Sequence, residues 1–178
     1  VFAKKGLEVL LLSDPVDEWL ASHVTEFDGK QLQAVSKGAL DLGDFDDEKE
    51  KEELKKNETE LKDLLEKMQK TLDDKVKEVR VTNRLTDSPS CLVVEEHEMA
   101  VNIQRMLKSA GHAMPQGKPI LEINPEHALV KRMNSDTAGE AFADLAHVLF
   151  DQALLVEGGQ IDDPNEFVRR MNSLLAKA

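Results

Sequence analysis

Residues 137–156 read TAGEAFADLAHVLFDQALLV, residues 157–163 read EGGQIDD and residues 164–176 read PNEFVRRMNSLLA. In the first run Phe142, Leu145, Ala146, Leu149, Phe150, Ala153 and Val156 recur at helical spacing. Thr137 and Glu140 stand at capping-box spacing ahead of them, which predicts a helix over Thr137–Val156. Gly158-Gly159 supplies the positive φ that ends it. Asp163, Pro164 and Glu166 then read as the cap, first residue and third-position carboxylate of a second helix. That helix carries Phe167, Val168, Met171, Leu174 and Leu175. Two adjacent helices this apolar need a surface to cover them. Patterning alone leaves two solutions open, burial against the rest of the chain or a four-helix bundle made by two chains.

Composition bounds the remainder. The chain has 178 residues, 33% charged and only 4% aromatic, with a net charge of −12 spread along its length. No Lys/Arg-rich run stands out, so nucleic acid is not an expected partner. No apolar run approaches the roughly 20 residues that a membrane helix needs, so no membrane partner is expected. A single cysteine, Cys91, excludes an internal disulfide and points to a reducing compartment, the cytoplasm. The first residue is Val1, with no initiator Met and no signal-type segment, the pattern of a piece of a longer protein.

Three stretches precede the hairpin. In Glu8–Ser13 the run Val9-Leu10-Leu11-Leu12 is short, continuous and apolar, as in buried parallel strands. Asp14 and Pro15 cap and start a helix bearing Val16, Trp19, Leu20 and Val24, which Phe27-Asp28-Gly29 breaks. Lys30–Ser36 reads as a second strand, so the spacing predicts a parallel βαβ unit. Next comes a charged segment, with twelve acids and nine Lys across Asp47–Glu78. Opposite charges at helical offsets support a solvated helix, and Leu54, Leu61, Leu65, Met68 and Leu72 give it a narrow apolar stripe. It reads either as a connecting helix lying along the next domain or as a short coiled coil.

From Lys77 onward strands and helices mix. Val79, Val81 and Leu85 alternate with polar residues, Asp87-Ser88-Pro89 turns the chain, and Cys91–Glu95 is a second β run. Glu98–Ala110 has helical periodicity, closed by Gly111. Ile120–Asn124 is a third strand, and Asn124-Pro125 opens a short helix to about Met133. The expected class is α+β: a βαβ piece, then a helix-covered three-stranded sheet ending in the helical hairpin.

Catalytic signatures are missing from this pattern. The sequence contains no Gly-rich phosphate loop after a strand, no GxSxG, no HExxH and no CxxC. Glu95, Glu96, His97 and Glu98 form the one cluster with metal-ligand chemistry, and such a run is more often a solvated helix start than a ligand set. Cys91 has no positive neighbour in its strand to lower its pKa, and reads as a packing residue. No catalytic, cofactor-binding or metal-binding residue is assigned.

Several motifs nonetheless point one way. Glu8-Val9-Leu10-Leu11-Leu12-Ser13-Asp14-Pro15-Val16-Asp17-Glu18-Trp19, followed by Glu26-Phe27-Asp28-Gly29-Lys30, resembles the end of the middle domain of the ninety-kilodalton heat-shock chaperones. Val79-Arg80-Val81-Thr82-Asn83-Arg84-Leu85-Thr86-Asp87-Ser88-Pro89 resembles the opening of their C-terminal domain. Leu121-Glu122-Ile123-Asn124-Pro125-Glu126-His127, Leu149–Gly158 and Asp163-Pro164-Asn165 complete the series in order. The chain ends Ala176-Lys177-Ala178, without the acidic peptide by which eukaryotic cytosolic members recruit helical-repeat cochaperones. The resemblance is therefore to the bacterial members, and it implies none of those partners.

The resemblance implies an ATP-driven, dimeric chaperone of stressed proteins, with its ATP and Mg site upstream of Val1. This segment would bind no cofactor and catalyse nothing itself. Residues 1–45 would be the end of the middle domain and 46–178 the dimerisation domain, with 46–76 its charged connecting helix. The hairpin would then form a homodimer interface through Phe142, Leu145, Leu149, Leu154, Phe167, Met171, Leu174 and Leu175. Met99, Ile103, Met106 and Leu107 match the family's amphipathic helix facing the cleft between protomers, where thioether side chains suit varied non-native clients. Trp19 would be a secondary client contact. On patterning alone the Met-containing stripe also reads as ordinary core, which leaves a dimeric scaffold without client binding as the alternative.

Overall fold

The run Ile120-Leu121-Glu122-Ile123 forms the middle strand of a three-stranded sheet, and all four of its residues are buried. The computed structural model describes residues 2–12, 14–35, 37–38, 48–95, 117–137 and 139–176, and within them leaves aside the side chains at 3, 4, 15, 18, 19 and 22. After a 3-10 turn at Phe2–Lys5 come helix α1 (Pro15–His23) and strands β1 (Glu26–Phe27) and β2 (Lys30–Gln31). Helices α2 (Glu48–Glu60) and α3 (Lys62–Thr71) lead into strands β3 (Glu78–Val81), β4 (Ser90–Val93) and β5 (Ile120–Ile123). Helices α4 (Ala128–Ser135), α5 (Ala141–Val156) and α6 (Pro164–Ala176) follow. The class is α+β, as the order of strand and helix signals predicts.

The sheet order is β3-β5-β4, with β5 parallel to β3 and antiparallel to β4. Directly paired residues share a face. Val79, Leu121 and Leu92 therefore form one row, with Val81, Ile123 and Ser90 beside it on the same face. This face meets the core: Leu64 and Met68 from α3, Leu72 and Val76 after it, Val130 and Met133 from α4, and Phe142, Leu145, Ala146, Leu149, Phe150 and Ala153 from α5. The Ser90 hydroxyl donates to the Leu149 carbonyl at 3.0 Å, which ties sheet to helix at a buried point. Asn124 closes the end of β5, its Nδ2 donating to the carbonyls of Thr86 and Ser88 at 3.2 and 3.3 Å.

The charged segment takes the connecting-helix form, broken once. Leu61 leaves helical geometry at φ −99°, ψ 9°, separating a solvated α2 from an α3 that packs on β3 and α5. Leu61, Met68 and Leu72 are buried as the stripe predicts, and Leu64 joins them because α3 is covered from two sides.

The N-terminal expectation of a parallel βαβ unit is overturned. Val9–Leu12 is not a strand, and Leu11 is 89% exposed. A continuous apolar strand is stable only with neighbours on its edges and cover on both faces, and the described residues of this chain supply neither. Lys30–Gln31 does not return in parallel either. Asp28 (φ 50°) and Gly29 (φ 73°) form a two-residue turn of the primed kind, which folds β2 back antiparallel on β1. The Asp-Gly pair, read as a helix breaker, is a hairpin signal. Helix α1 does start as predicted: Asp14 Oδ1 accepts from the Val16 amide and the Asp17 carboxylate from the Asp14 amide, both at 3.0 Å.

At the hairpin, α5 begins at Ala141 rather than Thr137, and Glu140 makes no side-chain cap. The Asp136 carboxylate lies so close over Gly139 that a Cβ there would come within 2.2 Å of Oδ2, and the Gly139 amide donates to the Asp136 carbonyl at 3.2 Å ahead of the helix. The far end follows the prediction. Gly158 takes φ 73°, its amide donates to the Leu155 carbonyl at 3.0 Å, and the Gly159 amide donates to that of Leu154 at 2.8 Å. Asp163 Oδ1 then caps α6 through the Glu166 amide at 3.0 Å.

Leu149 is fully buried where α5 crosses β4. Replacing it with Ala removes packing that neighbours held by the sheet cannot refill. Leu149→Ala is expected to cost about 2–5 kcal/mol, read as a lowered urea midpoint with an unchanged slope.

Candidate interaction surface on the helical hairpin

Helix α6 carries Phe167, Val168, Met171, Leu174 and Leu175, yet none of its residues is buried. Phe167, Met171 and Leu174 lie three and four positions apart on one face and remain half-buried, Leu174 against the core. Val168 and Leu175, two turns apart, are 53% and 66% exposed. At the end of α5 Leu155 is also exposed, and Val156 is 78% so. Pro89 and Gln152 join Leu155 and Val156 around a shallow groove of about 320 Å³. Single exposed apolar residues are normal on a protein surface; four on one short hairpin are a candidate docking face.

The structure divides the eight hairpin residues expected at an interface. Phe142, Leu145 and Leu149 are already buried in the chain's own core, so they have no surface left to give and can only underlie a contact. Leu154 and Leu174 are half-buried against that core. Phe167, Met171 and Leu175 retain accessible surface, with Leu155, Val156 and Val168 beside them. Val156 and Val168 belong to the apolar pattern read in the sequence, and Leu155 is the apolar position that its stripe leaves over.

Charges frame the hairpin. Arg169 donates to both oxygens of Glu166 at 2.7 and 2.6 Å, and this hydrogen-bonded pair pulls the Glu166 carboxyl down to about 2. Arg170 Nε lies 3.1 Å from Glu166 and 3.6 Å from Asp144, bridging the two helices. Asp144, His147 and Asp151 follow one line along α5. Burial, with Arg170 and Lys75 nearby, lowers the pKa of His147, against the opposing pull of Asp74 and Asp144. Burial raises that of Asp151, which Lys75 and Arg170 only partly offset.

The other expected residues lie elsewhere. Met99, Ile103, Met106 and Leu107 fall outside the described residues, as do Glu96, His97 and Glu98. Trp19 belongs to α1, and its side chain is likewise outside the description. Burial, then the nearby Glu122 carboxylate, pushes the Cys91 thiol up to about 12, far from any nucleophilic range. Among the described residues no group of three His, Cys, Asp or Glu is placed to hold a metal, and no helix is long and apolar enough to cross a membrane. One cluster was passed over in the sequence, Arg80, Arg84 and Glu122, although a charge at the centre of Val79-Arg80-Val81 and of Leu121-Glu122-Ile123 marks it.

The His147 shift has a pH consequence. Its folded pKa lies below 6.5, so the unfolded chain binds the proton more readily and folding stability falls as pH drops through 6.5 towards the folded value. Asp151 acts oppositely and at lower pH, since its folded form is the better proton binder above 3.8. Thermal midpoints are therefore expected to fall between about pH 7.5 and about pH 5.5, and His147→Gln to flatten that slope. An unchanged slope in the variant would remove His147 from the account.

The sequence matches the family model described as Hsp90 protein over residues 1–178. It is 57% identical over 177 residues to a protein of Alkalilimnicola ehrlichii named Chaperone protein HtpG, covering 99% of this chain and 27% of the relative. Proteins of the same name from Dechloromonas aromatica and Burkholderia ambifaria are 58% and 59% identical over 175 residues, each covering 98% of this chain and 27% of the relative. The chain thus spans about a quarter of the length of the curated relatives it matches. A family match over every residue, joined to identities of this size, makes the chain a member of the Hsp90 protein family.

Proposed function

We propose that this chain is the dimerisation and client-contacting segment of a molecular chaperone. One observation carries the dimer: α6 bears five large apolar side chains and buries none of them. A second copy across a two-fold axis supplies the same surface in return. Covering Val156, Val168, Met171 and Leu175 would contribute roughly 1.5–3 kcal/mol per fully buried side chain before the costs of association. Residues 1–45 are assigned to the end of a middle domain and 46–178 to the dimerisation domain. ATP and Mg, and the ATPase activity of the longer protein, belong upstream of Val1, and no residue here is assigned to catalysis. The compartment that suits a lone free thiol is the cytoplasm.

The mechanical role follows from the two-fold junction. One stable contact holds two arms, so that closure driven upstream clamps a non-native chain between them. The double variant Val168→Glu/Leu175→Glu alters two positions exposed in the single chain and is expected to fold but to sediment as a monomer at micromolar concentration. A concentration-independent monomer mass for the unaltered chain would sink the dimer reading.

Client contact is proposed at Met99, Ile103, Met106 and Leu107, with Trp19 secondary, on the strength of the family's amphipathic helix and the adaptability of Met. Met106→Ser/Leu107→Ser is expected to leave stability within about 1 kcal/mol, as surface changes usually do, while weakening suppression of aggregation by the full-length chaperone. A loss of several kcal/mol, the scale of truncated core side chains, would identify the stripe as core and leave a scaffold without client binding.

A further inference from the structure

On the face of the sheet opposite the core, Arg80, Glu122 and Cys91 form a row across all three strands. Glu122 is 2% exposed, and its Oε1 accepts from Arg80 Nε and Nη2 at 2.9 and 2.7 Å and from Arg84 Nη2 at 3.1 Å. Arg84 Nε lies 2.6 Å from Oε2. One carboxylate thus orients two guanidinium groups, and their other contacts are with backbone from a distant part of the chain. Arg84 Nη1 donates to the Val35 carbonyl at 2.6 Å, while Arg84 Nη2 and Arg80 Nη2 both donate to the Gly38 carbonyl, at 3.1 and 3.2 Å. The Gly38 amide completes the contact by donating to the Val94 carbonyl at 2.8 Å, next to a parallel bridge between Lys37 and Val94.

Apolar burial does little to hold this segment. Val35 is the one large apolar side chain in Val35–Gly38, and it is only half-buried. The attachment is made of charge-assisted hydrogen bonds, the strong kind. All those donated by side chains depend on guanidiniums that a single carboxylate holds in place. Such a cluster holds firmly while complete and fails sharply when one member is lost, because the remaining buried charge has no substitute partner.

We propose that Arg80, Arg84 and Glu122 form a latch that fixes the chain at Val35, Lys37 and Gly38 to the outer face of the sheet and so couples the residues before Val35 mechanically to the helix-covered core. The latch is separate from the hairpin surface and stands whether or not the hairpin dimerises. In a chain pulled from its N-terminal side, this is where load would enter the sheet.

Amide hydrogen exchange on the whole 178-residue chain tests the latch. Arg84→Lys keeps the charge but loses the planar fork that reaches Val35, Gly38 and Glu122 together. It is expected to speed exchange at Lys37 and Gly38 by roughly tenfold, the scale of one lost charge-assisted hydrogen bond, while β5 and α5 exchange as in the parent. Arg80→Lys, at a more accessible position, is expected to produce a smaller change confined to the same amides. Unchanged exchange at Gly38 in a folded Arg84→Lys chain would overturn the proposal. So would a uniform rise across β5 and α5 in both variants, since the cluster would then be part of core stability and not a local attachment.

Discussion

The sheet, its helical cover and the attachment at Gly38 all depend on strand β5 being buried on both faces. Leu121 and Ile123 point to one side, where α3, α4 and α5 close over them. Glu122 points to the other, where two arginines meet it. The two-residue alternation of a strand makes this division unavoidable, since neighbours in sequence face opposite ways. A central strand that presents Leu and Ile to one layer and a carboxylate to the other serves as core and as anchor within four residues. The carboxylate is tolerable at that depth only because paired guanidiniums offset its desolvation.

The hairpin shows a second division of labour, this time between consecutive helices. Helix α5 spends its apolar face within the chain, with Phe142, Leu145, Leu149 and Ala153 turned to the sheet and to α3. Helix α6 rests on α5, and Val168 and Leu175 stay exposed beside side chains that are only half-buried. The salt bridge from Arg170 to Asp144 ties α6 to α5, and the one to Glu166 holds the Arg170 side chain within α6. Exposed ion pairs such as Arg169–Glu166 add little stability but keep the polar side of the helix polar. The apolar side is then the one left accessible.

The N-terminal third shows how far pattern reading goes before context overrides it. Val9-Leu10-Leu11-Leu12 has the composition of a buried parallel strand, yet it stays exposed, because strand formation is a property of pairs and sheets and not of a single run. The turn at Asp28-Gly29, by contrast, is local chemistry. Two positive φ angles dictate an antiparallel return whatever lies around them. The same contrast holds at the hairpin, where Gly158-Gly159 and Asp163 act as read but Thr137 does not cap, since α5 begins only at Ala141.

What depends on neighbours within a few positions is legible along the chain. The three strands of the main sheet, the caps at Asp14 and Asp163, the Gly-Gly end of α5, the stripe of α3, the α+β class and the family resemblance all fall in that group. These features rest on side-chain periodicity and on backbone groups satisfied by nearby residues, both of which are written in order along the chain. Packing between distant segments sets which apolar residues of the hairpin are already covered and which stay accessible. Phe142 and Val168 look alike in a helical pattern, but one is closed off by a sheet assembled from strands far away in sequence. Tertiary packing alone also brought Arg80, Arg84 and Glu122 onto the backbone at Val35 and Gly38, because hydrogen bonds between charges and distant carbonyls leave no periodic trace in the sequence.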